Sequence, residues 1–153
     1  MQDHLAAGVG LAYNRLSSSS LGTEKCARRG KQTVSFKPVL QDLVTNVEGA
    51  EGAIFLEVDG EAVEWYAPDN GDRLRLRAAY VAVVLEGSRA LAKHLDVGTT
   101  RQMLLAYDGG KFIVEELGSG YFLALEVNTS TNVALARYRM QGVVDILRRE
   151  ILA

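Results

Sequence analysis

The stretch RLRLRAAYVAVVLEGSRALAKHL, residues 73–95, constrains this chain more than any other. Its middle, YVAVVL, has strand-like residues, but the length and alanine content predict a helix of about six turns. With residues set at 100° steps, Leu74, Ala78, Val81, Leu85, Ser88 and Ala92 form one stripe. Leu76, Tyr80, Val83, Val84, Gly87 and Leu91 form a second stripe beside it. Only Arg75, Ala82, Glu86, Arg89 and Lys93 are left as a narrow polar edge. A helix lying on one sheet needs an apolar arc of a little over 100°, and this one carries about twice that. It therefore needs two neighbours, its own sheet and something more. A loop or the N-terminal residues of the same chain would be one cover for the second stripe; another molecule would be the other.

The flanking sequence supplies the sheet. GAIFLEVDGEAVEWYA, residues 52–67, sets Asp59-Gly60 between two alternating runs and predicts a hairpin with a two-residue type I′ turn. That turn places Val58 opposite Glu61, Leu56 opposite Val63 and Ile54 opposite Trp65, and opposed residues share a face. Ile54, Leu56, Val58, Val63 and Trp65 then make an apolar face expected against the first and last helices. Ala53, Phe55, Glu57, Ala62, Glu64 and Tyr66 make the other, expected toward the long helix, with the two glutamates partly wet because burying both unpaired is costly.

Before the hairpin, Phe36, Val39, Leu40, Leu43, Val44 and Val47 fall on one helical face. Ser35 is the expected N-cap, Pro38 lies in the tolerated first turn, and Gly49 marks the end. After the long helix, TTRQMLLAY, KFIVEEL and YFLALEV read as three strands joined by DGG and GSG turns. The last is apolar on both faces and is expected to be central. STNVALARYRMQGVVDILRREILA closes the chain as a helix, with Ala136, Met140, Val143, Val144, Leu147 and Ile151 on one face. The order is α-β-β-α-β-β-β-α, an α+β fold with helices on both faces of a five-stranded, mostly antiparallel sheet.

Residues 1–34 read differently, as a Ser-rich tail expected to be mobile. They hold five Lys/Arg against two acids, a net +3, whereas residues 35–153 hold twelve against seventeen, a net -5. Between Lys37 and Arg73 lie nine acids and no basic residue, a distribution that argues against nucleic-acid binding. No apolar run approaches the ~20 residues of a membrane helix. One cysteine, Cys26, excludes an internal disulfide and suits a reducing, cytoplasmic setting.

Catalytic signatures are missing. The chain has no phosphate loop of the P-loop type and no Gly-x-Ser-x-Gly elbow. His94 has only Asp96 near it as a second ligand, so no metal site is expected; a helix-end imidazole favoured by the dipole is the better account. Glu57 and Glu64 read as a solvated sheet face rather than an acid/base pair. No cofactor is implied, and the expectation is a protein that is not an enzyme.

In order and spacing these elements resemble the Roadblock/dynein light chain domain family. The resemblance is carried by VEGAEGAIFLEVDGEAVEW, by the Ala-rich helix LRAAYVAVVLEGSRALAKHL, by the meander, and by NVALARYRMQGVVDILRREI. It spans about residues 36–152 and implies a profilin-like three-layer α/β/α sandwich over 35–153. It further implies side-by-side homodimers in which the long helices meet and the sheets join at the third strand. That assigns Leu76, Tyr80, Val83, Val84, Gly87 and Leu91 to a dimer interface. Members bind small Ras-like GTPases or act as adaptors, and some stimulate GTP hydrolysis without donating a catalytic arginine. The implied partner surface on this chain is Arg75, Glu86, Arg89 and Lys93. Two other readings stand beside it: a PAS- or GAF-like sensor, which needs a ligand cavity between sheet and helix, and a scaffold with no GTPase partner.

Overall fold

The computed structural model describes residues 35–152. The N-terminal segment 1–34, read from sequence as a mobile tail, lies outside the described residues. Eight elements follow one another: α1 (Lys37–Asn46), β1 (Ala50–Glu57), β2 (Ala62–Tyr66), α2 (Asp72–Leu95), β3 (Gln102–Tyr107), β4 (Gly110–Gly118), β5 (Tyr121–Val127) and α3 (Val133–Leu152). Their order is the one the periodicities predict. The strands form one antiparallel sheet in the order β2-β1-β5-β4-β3. β5 is the middle strand, as its two apolar faces require.

Two cores lie on the two faces of this sheet. One holds Leu40, Leu43 and Val44 of α1 and Ala136, Met140, Val144 and Leu147 of α3, packed on Ala53, Phe55, Ile113, Leu123 and Leu125. The other holds Leu74, Ala78, Val81, Ala82 and Leu85 of α2, packed on Ile54, Leu56, Phe112, Val114, Phe122 and Ala124. The result is a three-layer sandwich with α1 and α3 on one side and α2 on the other.

The hairpin corrects two expectations. Its turn is not type I′, which needs positive φ at both central residues, because Asp59 has none. Instead the Glu57 carbonyl accepts from Gly60 N–H at 2.9 Å, the Glu61 carbonyl accepts from Glu57 N–H at 2.9 Å, and Gly60 sits at φ 90°. This is a three-residue loop closed by a left-handed glycine. The pairing of Ile54 with Trp65 stands, but Leu56 pairs with Ala62 rather than Val63, and the register shifts between them. Val63 is the extra residue of a bulge and is exposed, while Ala62 turns to the α2 side.

The second correction concerns which face meets which helix. Ile54, Leu56, Val58 and Trp65 pack with α2, whereas Ala53, Phe55 and Tyr66 pack with α1 and α3. Phe55 is the anchor of that side, edge-on to Phe36 with ring centroids 5.5 Å apart and tilted against Tyr121 at 5.4 Å. Alternation fixes which residues share a face but leaves the choice of helix open. Glu57 stands opposite Tyr121 in the sheet, and its charge and hydrogen bond raise the phenol's pKa above the ordinary value. α1 differs in a smaller way. Its N-cap is Phe36, which makes no side-chain cap, so Ser35 does not fill that role.

Candidate functional site: the second face of the long helix

The first predicted stripe faces inward: Leu74, Ala78, Val81 and Leu85 pack on the sheet, Ala92 is buried, and Ser88 is half-buried, its hydroxyl 2.9 Å from that of Thr100. Ala82, read as part of the polar edge, is buried instead. The bulged hairpin reaches over it, since a Cβ on Gly60 would lie 3.4 Å from the Ala82 methyl.

The second stripe faces outward. Leu76, Tyr80, Val83, Val84 and Leu91 are between 45% and 70% exposed, and nothing lies within 4 Å of where a Gly87 Cβ would be. Leu95, one turn beyond Leu91, extends the row and is 61% exposed. Sequence reading stopped short of it, although its i+4 spacing from Leu91 was a sufficient signal. Among the described residues, no element covers this stripe.

Beside the stripe the sheet ends at β3, which has a partner strand only in β4. Its sequence QMLLAY carries no charge and no proline, the devices that usually blunt an open edge. Between α2 and this edge runs a groove of about 350 Å³ whose lining includes Tyr80, Val84, Leu105, Tyr107 and Phe112. At its polar end Arg77 pairs with Glu126, a buried carboxylate of β5. The opposite face of the sheet has a counterpart. Glu115 is buried there among Gln102, which donates to it at 2.7 Å, Gln141, and Arg137 at 3.9 Å. Sequence reading foresaw neither buried acid. Glu126 lies in the otherwise apolar run YFLALEV, where a lone acid must find a cation; Glu115 follows the apolar run FIV on the inward face of its strand.

The predicted polar edge divides into two places. Glu86, Arg89 and Lys93 line one hollow of about 400 Å³ at the C-terminal half of α2, together with Asp96 and Thr99. Arg89 reaches Glu86 at 3.3 Å and lies over the Phe122 ring at 5.9 Å. Arg75 is three turns away, stacked on Trp65 at 4.6 Å and 3.5 Å from Asp72. Of the other arginines in RLRLR, Arg73 meets Glu51 of β1 at 3.5 Å, whereas Arg77 meets β5 rather than the hairpin.

The long helix thus has one buried and one bare apolar face and lies beside an uncharged sheet edge. The Roadblock/LC7 domain family model matches residues 38–126, more than half of the chain. The chain belongs to the Roadblock/LC7 family. Among solved structures, the Roadblock/LC7 domain from Streptomyces avermitilis superposes with a TM-score of 0.71 at 23% identity, covering 78% of this chain and 99% of that one. MglB of Myxococcus xanthus gives 0.70 at 15% identity, covering 79% and 98%. Profilin IB of Acanthamoeba castellanii gives 0.53 at 13% identity, covering 76% and 98%, so the Roadblock/LC7 fold seen here is profilin-like. Comparison with curated proteins gives no match. No helix among the described residues is long and apolar enough to cross a membrane.

Proposed function

We propose that two copies of this Roadblock/LC7 chain pair through the α2 stripe and the β3 edge, and that the pair is a non-catalytic regulator or adaptor of a small Ras-like GTPase. Stimulation of the partner's GTP hydrolysis is the finer form of that role. The observation carrying the proposal is the bare second stripe on α2. Burying an aliphatic side chain removes about 60–120 Å² from water, taking 1.5–3 kcal/mol at ~25 cal/mol per Å². Five such side chains and Tyr80, with Leu105 and Tyr107 of the groove, make a patch on the order of the 800 Å² that each partner gives a standard interface. The partner surface is assigned to Glu86, Arg89 and Lys93, which share one hollow, with Arg75 as a separate contact at the hairpin end of the helix.

Light scattering on the full chain and on residues 35–153 should give twice the chain mass for both. Val84→Asp or Leu91→Asp should return it to monomer without unfolding it, because the charge is harmless in water and costs several kcal/mol when buried unpaired. A wild-type monomer at micromolar concentration overturns the pairing. For the GTPase, a P-loop GTPase from the same genome, loaded with a GTP analogue or GDP, should be retained by the wild-type pair. Arg89→Glu/Lys93→Glu should lose it while remaining dimeric.

A second reading draws on the groove under α2. Its 350 Å³ falls within the size of small-ligand sites, as a sensor domain requires. Ligand-dependent melting shifts that persist in the monomeric Leu91→Asp variant, whose substitution lies outside the groove lining, would favour that reading over the first.

A further inference from the structure

We infer that the sheet has a second docking surface, on the side away from α2, that takes one acidic amphipathic helix of another protein per pair of chains. This rests on the homodimer proposed above and goes beyond it.

β3 is covered on one side only. Met103 and Leu105 pack with α2, opposite Val114 and Phe112 in the sheet. Gln102, Leu104 and Ala106 belong to the other side, opposite Glu115, Ile113 and Lys111. All three are exposed, Leu104 by 50%. The helices of that side stop short of them, because α1 rests on β1 and β2 and α3 rests on β4 and β5. A hollow of about 230 Å³ remains between β3 and α3, with Leu104 and Ile113 as its floor and Val133 and Arg137 as its wall.

In the single chain this is half a channel. When two β3 edges join with both α2 helices on one side, both α3 helices stand on the other, and the two β3 strands lie bare between them. From the β4–β5 boundary under one α3 to that under the other is half a strand spacing, three whole ones and another half. Four spacings are about 19 Å. A helix packs at ~8–10 Å from each neighbour, so one helix fits between the two α3 helices and a second does not. Its apolar side would meet Leu104, Ala106 and Val133 of both copies. A strand is a poorer occupant, because the pairing already uses the β3 edges.

Charge sets the chemistry of that helix. Arg137, Gln141 and Arg148 follow one another at i, i+4 and i+11 along the side of α3 toward β3 and β4. Arg137 donates to the side-chain carbonyl of Gln102, and Arg148 donates to the Glu116 carbonyl at 2.6 Å. Glu115 beneath them is buried and already answered by Gln102 and Arg137. Arg137 is the one charge among the described residues that line the hollow. The channel is therefore an apolar floor between arginine-bearing walls, set in a domain of net -5. Leucine-like residues along one helical face, with Glu or Asp on both flanks, complement it. The surface proposed for the GTPase lies on the α2 side, so the two partners do not compete, as an adaptor requires.

The test uses the full chain and two fluorescein-labelled synthetic helices of about 18 residues, five turns. Both carry leucines at i, i+3, i+4 and i+7; one has glutamates elsewhere, the other lysines. Anisotropy should give a micromolar Kd for the glutamate peptide and at least about tenfold weaker binding for the lysine peptide. Calorimetry should give one glutamate peptide per two chains. Leu104→Gln, neutral and exposed in the single chain, should weaken it about tenfold while light scattering still shows a dimer. Arg148→Glu should narrow or invert the preference between the two peptides, a change that loosened packing alone does not produce. Monomeric Leu91→Asp, with half a channel, should bind at least about tenfold more weakly than wild type. A wild-type monomer would remove the homodimer and this channel with it. A wild-type dimer that binds neither peptide, binds both alike, takes two per dimer, or is unaffected by Leu104→Gln would overturn the docking surface and leave the homodimer standing.

Discussion

Gly71 and Gly142 show how differently one residue type can act in one chain. Gly71 caps α2 at φ 76°, and a Cβ there would come within 2.6 Å of the Trp65 ring. Gly142 lies inside α3 with nothing within 4 Å of its Cβ position. Gly71→Ala should lose about 1–2 kcal/mol from the left-handed backbone alone, and more as Trp65 is pushed off Arg75 and the α2 core. Gly142→Ala should gain about 1 kcal/mol by helix propensity, raising the melting temperature by about 4 °C for a domain of this size. Thermal unfolding of the two variants reads both signs. A destabilised Gly142→Ala would mean that something outside the described residues packs against α3.

At the scale of elements, the open edge of β3 and the bare stripe of α2 belong to one surface, and hydrogen exchange separates that surface from the rest. In monomeric Val84→Asp the amides of β1, β5 and β4 should stay protected, since each strand has a neighbour on both sides. The outward amides of β3 should exchange quickly there and slowly in the wild-type dimer. Equal β3 protection in both proteins would show that the sheets do not join at that edge. The sequence made much of this surface legible. The 3.6-residue period separated Leu74/Ala78/Val81/Leu85 from Leu76/Tyr80/Val84/Leu91, and each set faces the way its arc demanded. The hairpin was less legible because one inserted residue, Val63, moves Ala62 to the other face. No local property of Ile54 or Phe55 says which helix it will meet. That choice depends on crossover geometry and on Gly52, where a Cβ would come within 2.8 Å of Leu74, and neither is written in a periodicity. The buried Glu115 and Glu126 escaped notice for a similar reason: their arginines, Arg137 and Arg77, come from helices distant in sequence.

For the whole molecule, charge separates the two proposed interfaces by the sign of their response to salt. Residues 35–153 carry a net -5 and the full chain a net -2, so two copies of either approach as like-charged bodies, the shorter more strongly, and meet through a stripe that is itself neutral. Adding salt shortens the Debye length to about 8 Å at 0.15 M, which screens the repulsion and leaves the apolar contact intact. The self-association constant should therefore rise modestly with ionic strength, by less than about tenfold between 0.01 and 0.15 M. A GTPase contact through Glu86, Arg89 and Lys93, which share one hollow with Asp96, has the opposite dependence, because it is made by charge pairing and screening weakens charge pairs. Measured on one preparation, dimerisation by sedimentation and GTPase capture by surface binding should move in opposite directions as salt increases. If both weaken together, charge pairs hold the copies to each other, and the neutral α2 stripe is not their contact.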